Sequence, residues 1–347
     1  MRYVLGMTLQ ELSAAVTESG LPTFRARQIY DGALKNVAIS DMTTLSKDLR
    51  ARLSEEYVAN SVRVVEQVVS RIDGTKKLLF GLSDGNMVEG VLMHYKYGYT
   101  LCLSTQVGCR MNCAFCASGI GGLIRNLTAE EMVGEVVAAS ATVSDPTKPR
   151  NVTNLVLMGT GEPLDNYDNV IRFLRLITDK DGLDFSPRNI SLSTCGLVPY
   201  IDRLAEEDMA INLTISLHNP FTEERKQIMP VTNSYSVEEV VEASRRYFDK
   251  TGRRVYFEYC MIKGENDTLR HATKIATLLK GFPTHVNLIR LNYVEEKGLK
   301  GTDSMDIETF LKALNERGVS ATLRRSMGSD IDGACGQLRR KYTGGAV

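Results

Sequence analysis

From about residue 100 onward, strand-like and helix-like runs alternate along the chain, and this alternation restricts the fold more than any other feature. Apolar, β-branched runs lie near Thr100–Thr105, Asn154–Met158, Asn189–Thr194, Asn212–Leu217, Val255–Ile262, Val286–Leu291 and Ser320–Arg324. Runs with helical apolar spacing fall between most of them, at 128–142, 167–178, 200–207, 236–250, 269–280 and 306–317. A parallel neighbour can be reached only through a crossover, so strands alternating with helices predict a parallel sheet. The spacing predicts an α/β fold built on a partial (β/α)6 barrel, with a doubly wound sheet as the alternative. In a barrel the chemistry sits where strands end and loops begin.

The first hundred residues read differently. Leu9, Leu12 and Val16, a turn at Gly20-Leu21-Pro22, then Phe24, Ile29, Tyr30 and Leu34 predict helices, and 1–60 is read as an N-terminal helical domain. Residues 61–98 read as a short β linker, a meander punctuated by Asp73-Gly74 and Asp84-Gly85. The barrel is expected over 99–341 and a tail over 342–347.

Composition narrows the chemistry. No apolar run reaches the ~18 residues that cross a bilayer, and the amino terminus lacks the apolar region of a secretory signal. A cytoplasmic protein without a membrane partner, and a monomer, is the expectation. Lys plus Arg and Asp plus Glu both total 42, so net charge does not point to a partner. Seven cysteines make an odd count in a chain with no export signal, which favours metal or redox chemistry over a disulfide scaffold.

Three of these cysteines stand together as Cys109-Arg110-Met111-Asn112-Cys113-Ala114-Phe115-Cys116, a Cys-x3-Cys-x2-Cys pattern. Three thiolates on one loop can hold three irons of a 4Fe-4S cluster, leaving the fourth iron open to a small molecule. The competing readings are buried small residues and a structural zinc site. Zinc usually takes four closed ligands, but no second cysteine pair follows and the four histidines are scattered.

Further along, Met158-Gly159-Thr160-Gly161-Glu162-Pro163 follows a strand: its glycines allow close backbone approach, and Glu162 can accept a bond from an ammonium. Ser193-Thr194-Cys195-Gly196, Ser216-Leu217-His218-Asn219 and Leu291-Asn292 each sit at a strand end. Their polar groups suit a ribose, a carboxylate or an adenine; as the alternative, Ser193, Ser216 and Asn292 simply cap turns or helices.

The triad, with aromatic Phe115 before its last cysteine, resembles the radical-SAM superfamily. Together with the Met-Gly-x-Gly-Glu-Pro loop and the segment Arg324-Arg325-Ser326-Met327-Gly328-Ser329-Asp330-Ile331-Asp332-Gly333-Ala334-Cys335-Gly336, it closely resembles that superfamily's RNA adenine-C2 methyltransferases, over nearly the whole chain. The resemblance implies a 4Fe-4S cluster on Cys109, Cys113 and Cys116, and S-adenosylmethionine (SAM) bound by Gly161, Glu162, Ser193, Ser216, Leu217, His218 and Asn292. It implies a helix-hairpin-helix-like RNA-binding module at the amino terminus, 23S rRNA and tRNA as partners, and an external electron donor of flavodoxin or ferredoxin type.

The resemblance also assigns catalytic roles. Cys335 takes a methyl group, Cys102 resolves the covalent RNA adduct through a disulfide with Cys335, and Glu89 transfers a proton. Cys195 and Cys260 have no matched role and are expected to be structural. Thr160 and Gly333 depart from the usual methionine and alanine, and Cys195 is unusual within its motif. Two rivals stay open: a sister enzyme that methylates adenine C8, and a non-catalytic zinc-stabilised RNA-binding protein. Arg324, Arg325, Arg339, Arg340 and Lys341 are expected to meet RNA phosphates, with a solvated helix end as the alternative for Arg339-Arg340-Lys341.

Overall fold

The computed structural model describes residues 1–143, 151–333 and 336–337. Cys335, Arg339, Arg340, Lys341 and the 342–347 tail lie outside the described residues.

The chain opens with a two-residue strand β1 (Arg2–Tyr3), then helices α1 (Leu9–Glu18), α2 (Phe24–Leu34) and α3 (Lys47–Glu56), and β2 (Tyr57–Val58), which pairs parallel with β1. Helix α1 starts where Thr8 and Glu11 satisfy each other's backbone N–H groups, a reciprocal cap that fixes the first turn. Its buried face, Leu12, Ala15 and Val16, follows the helical period. These helices share one apolar core with the rest of the chain: Leu12, Ile29 and Leu53 pack in the same cluster as Met132 and Ile177.

Strands β3 (Arg63–Val69), β4 (Lys76–Gly81), β5 (Met87–Tyr95) and β6 (Gly98–Cys102) follow. Next come β7 (Gln106–Gly108), β8 (Leu123–Asn126), α4 (Ala129–Ala141), β9 (Val152–Leu157), α5 (Tyr167–Thr178), β10 (Ile190–Thr194), α6 (Val198–Glu206), β11 (Asn212–Ser216) and α7 (Thr222–Ile228). The chain continues through α8 (Val237–Thr251), β12 (Val255–Met261), α9 (Leu269–Leu278), β13 (Thr284–Arg290), α10 (Ser304–Glu316) and β14 (Ala321–Leu323).

Ten strands form one sheet in the order β14-β13-β12-β11-β10-β9-β6-β5-β4-β3. The pairs from β6 to β14 are all parallel, and β3 to β6 are antiparallel. The expected α/β architecture is therefore present: six crossovers joined by helices, closed by the short seventh parallel strand β14. The meander corrects one expectation. It does not merely bridge to the barrel, because β5 pairs with β6 and extends the same sheet.

This sheet is strongly curved. Arg324, just past β14, donates from Nη1 to Glu258 Oε2 on β12 at 3.0 Å and lies 3.6 Å from Met158 Sδ, just past β9. Five strand spacings separate β9 from β14, about 24 Å across a flat sheet at ~4.8 Å per strand. Only a sheet rolled towards a barrel brings those ends within one side chain's reach. Among the described residues no helix is long and apolar enough to cross a membrane.

Candidate active site

The loop that carries the three cysteines springs from a small antiparallel ribbon of β7 and β8. At Gly108 the backbone has φ +78, and a Cβ there would lie 2.0 Å from the Gly122 carbonyl oxygen, so the ribbon closes only around glycine. Cys102 and Cys109 belong to different elements: β6 ends at Cys102, and Cys109 follows strand β7 of the separate ribbon.

Every part of the loop is tied down. Cys109 N–H donates to Gly122 O (3.1 Å), Ala114 N–H to Ile228 O at the end of α7 (2.9 Å), and Ala117 N–H to Gly336 O (2.8 Å). Arg110 pairs with Asp165, its Nε 2.8 Å from Oδ2. Because Asp165 follows the Gly161-Glu162-Pro163 turn, this pair couples the cysteine loop to the proposed SAM loop.

The three thiols line one cavity at the strand ends, together with Gly161, Glu162, Ser193, Ser216 and His218. Burial, opposed by the Met111 N–H and reinforced by the charge of Glu162, pushes the Cys109 thiol up to about 12. Burial, then the neighbouring Cys116 and Cys109, pushes Cys113 up as well. Thiolates crowded here need a cation among them, and an iron–sulfur core supplies that charge. Three thiols brought to one cavity by a single loop fit a cluster, whose cysteines each bind a different iron.

The walls opposite the loop are polar only at selected points. Gly161 has φ +112, and a Cβ on it would sit 2.7 Å from Gln106 Cβ and 2.8 Å from Thr105 Oγ1. Glu162 is buried and accepts from the N–H groups of Leu164 (3.1 Å) and Cys195 (2.8 Å). Burial raises its pKa and the Cys195 N–H pulls the other way. Ser193 Oγ and Ser216 Oγ stand 3.5 Å apart on neighbouring strands, and no helix takes either as its cap.

His218 adopts φ 53, a left-handed conformation seldom taken by side-chain-bearing residues. Its Nδ1 accepts the Cys260 N–H at 2.9 Å. Burial, helped by the charge of Arg225, depresses its pKa to about 3. The ring is neutral, with its proton on Nε2, a donor rather than a base.

A second cavity adjoins the first. Cys102 and Asn292 line it, with Val91, Met93 and Tyr95, and both cavities share Cys116, Met158, Arg324 and Gly336. Glu89 lies on β5 two residues before Val91, hence on the same face of the strand. It is buried, not a solvated carboxylate, and pairs with Lys77 (Nζ–Oε1 2.8 Å). The Leu217 side chain belongs to the core instead of the cavity, while its carbonyl accepts Arg225 Nε–H.

Arg324 departs from the phosphate-binding expectation. Its guanidinium turns inward to Glu258, and only Arg325 of that pair is exposed. Sequence reasoning also missed Glu258, Cys195 and Cys260, which line the first cavity. Five cysteines thus face one space. Cys195, just past β10, and Cys260, on β12, sit in a small apolar cluster with Ile228, Met229 and Ile262, against which Met111, Cys113, Ala114 and Phe115 of the tied loop pack, but neither belongs to the Cys-x3-Cys-x2-Cys loop itself. Accordingly, Cys195→Ala and Cys260→Ala proteins are expected to retain the wild-type iron and sulfide content after anaerobic purification. A loss of more than about a quarter of the iron, one corner of a four-iron cluster, would make one of them a ligand.

Residues 103–274 match the radical SAM superfamily and residues 3–58 match the ribosomal RNA large subunit methyltransferase N-terminal domain. A probable dual-specificity RNA methyltransferase RlmN of Clostridium perfringens (strain 13) is 48% identical over 344 residues, 99% of this chain and 98% of that protein. The protein of the same description from Clostridium novyi is 46% identical, covering 99% of both. The crystal structure of a radical SAM methyltransferase from Sphaerobacter thermophilus superposes with a TM-score of 0.94 at 42% identity, over 98% of this chain and 100% of that one.

Proposed function

The chain belongs to the RlmN family of radical-SAM RNA methyltransferases, and from that premise we propose that it methylates C2 of an adenosine in 23S rRNA and of an adenosine beside the tRNA anticodon. The observation that carries this reading is the junction of the two cavities: three thiols and the Glu162 loop line one, and Cys102 lines the other. A cofactor and a base bound side by side would exchange a carbon without crossing solvent.

Cys109, Cys113 and Cys116 would hold the cluster, and Glu162, Ser193, Ser216 and the Nε2–H of His218 would hold SAM. When bound, the cluster supplies the electron that cleaves SAM and so starts radical chemistry. The remaining steps belong to the chain's own side chains. Cys335 receives a methyl group from one SAM. The radical chemistry that bound SAM and the cluster supply would take one hydrogen from that methyl, and its carbon would bond to C2, joining enzyme and RNA. Glu89, held by Lys77, takes the C2 proton. The Cys102 thiolate would attack the Cys335 sulfur and break its bond to the transferred carbon, closing a disulfide, while that carbon takes up a proton to become the methyl group and the one unpaired electron of the adduct passes back to the electron carrier. Gly336, which follows Cys335 in sequence, accepts the Ala117 N–H of the cluster loop, and this contact supports a meeting of Cys335 with the site.

An adenine C2 carbon inside a stack is out of reach, so the target base must turn outward, most easily in a loop or a protein-free RNA. The electron donor is proposed to be a flavodoxin or ferredoxin, and the working unit a monomer. Digestion of RNA after turnover, with the modified nucleoside located by chromatography and mass spectrometry, tests the reading. A methyl group on C2 is expected; a methyl group on C8 would assign the chain to the sister chemistry.

A further inference from the structure

Arg225, on α7, is fully buried, and all its partners are neutral. Its Nε–H donates to Leu217 O (2.8 Å) and Nη1 to Thr232 Oγ1 (2.8 Å), while Nη2 serves the carbonyls of Cys195 (2.7 Å) and Ser216 (2.8 Å). Among the described residues no carboxylate forms an ion pair with it. A guanidinium keeps its proton in proteins, and burying a cation without a counter-ion is costly even when its donors are bonded. Four neutral acceptors satisfy its hydrogen bonds but leave the charge uncompensated.

The place of that charge is informative. Cys195 and Ser216, whose carbonyls it grips, both line the cavity that contains the three thiols. The helix bearing it ends at Ile228, whose carbonyl accepts the N–H of Ala114, between Cys113 and Cys116. The buried cation thus stands behind the wall against which the cysteine loop is fastened.

We propose that Arg225 is the built-in counter-charge of the iron–sulfur cluster and makes that cluster easier to reduce. The inference rests on the reading that the triad holds a 4Fe-4S cluster. Such a cluster on three thiolates is anionic, and gains one further negative charge on taking an electron. A fixed neighbouring cation favours the more negative state and so raises the reduction potential. The step is a single electron passing from a reductant to the cluster; no bond forms or breaks.

The test uses the full-length protein, reconstituted anaerobically with iron and sulfide and titrated with dithionite, the reduced cluster being followed by electron paramagnetic resonance. Wild type is compared with Arg225→Lys, which keeps the charge, and Arg225→Gln, which removes it; both lose the guanidinium fork. At a fixed solution potential, Arg225→Gln is expected to show at least a tenfold lower reduced-to-oxidised ratio, a shift of about 59 mV for one electron. Arg225→Lys should stay within about threefold of wild type, less than half that shift. Equal shifts in both variants, or no shift in Arg225→Gln, would overturn the proposal. If Arg225→Gln does not fold, Arg225→Met takes its place. Failure of every uncharged variant to fold as apoprotein, whether or not Arg225→Lys folds, would assign the charge to the fold itself and equally overturn it. A wild-type protein without a four-iron cluster would instead refute the parent reading, whatever Arg225 does.

Discussion

Cys335→Ala protein is expected to bind its cluster and SAM normally yet transfer no methyl group to RNA, a loss of at least about a thousandfold, as for removal of a covalent catalytic group. The argument is chemical. In the proposed reaction the target, adenine C2, is electron-poor and offers no nucleophile to a methyl sulfonium, so the carbon would travel on the enzyme before it meets the base. Cys102→Ala should behave differently, because methyl transfer to Cys335 and radical addition remain intact while release is blocked. A covalent protein–RNA complex should then accumulate under anaerobic turnover and survive denaturing electrophoresis. The decisive contrast is between no adduct in Cys335→Ala and a persistent adduct in Cys102→Ala. Normal turnover by Cys102→Ala would remove the resolving role, although this residue lines the second cavity beside Met158 and Arg324.

Cys113→Ala has the second large effect. Its sulfur lies in the middle of a loop fastened on both sides, by Arg110 to Asp165 and by Ala114 to Ile228. The loop's shape should survive the substitution, since these anchors are backbone groups or other side chains. The metal site should not. With two thiolates left, the four-iron cluster loses an essential anchor, and iron content is expected to fall from about four per chain to well under one. SAM cleavage should drop below detection, while circular dichroism and the melting profile of the apoprotein match those of wild-type apoprotein. Full iron content in this variant would remove Cys113 from the ligand set.

Much of the architecture is legible in the sequence because parallel strands buried on both faces are written as continuous apolar runs. β12, buried without a break from Phe257 to Met261 and apolar there except for Glu258, is one instance. Helix α7 is not legible. It has seven residues and two buried positions, Arg225 and Ile228, too few to set a period. The β7–β8 ribbon is equally short and encloses a glycine-rich loop. The meander's strands can be read locally, but the pairing of β5 with β6 is a tertiary fact that alternation alone does not encode.

The site divides in the same way. The triad and the Gly161-Glu162 turn are visible because close spacing and glycine leave a signature in one short segment. Glu258 and Cys260 reach the cavity from β12 and Cys195 from the turn just past β10; the two cysteines read locally as core residues, and Glu258 stands out only as a lone charge in an apolar strand. Arg225 and Arg324 mislead in a more basic way. Arginine is expected at the surface, yet one is sealed inside among carbonyls and the other turns in to Glu258. Lys77 and Glu89 would each pass for solvated charges until β4 and β5 are paired.

The central claim is that three loop cysteines anchor an open iron–sulfur cluster that cleaves SAM. Anaerobic purification, assay of iron, sulfide and zinc, and chromatography for 5′-deoxyadenosine after adding dithionite and SAM test it in one preparation. A brown protein with about four irons per chain that forms 5′-deoxyadenosine is the predicted result. A colourless protein holding one zinc and leaving SAM intact would contradict it.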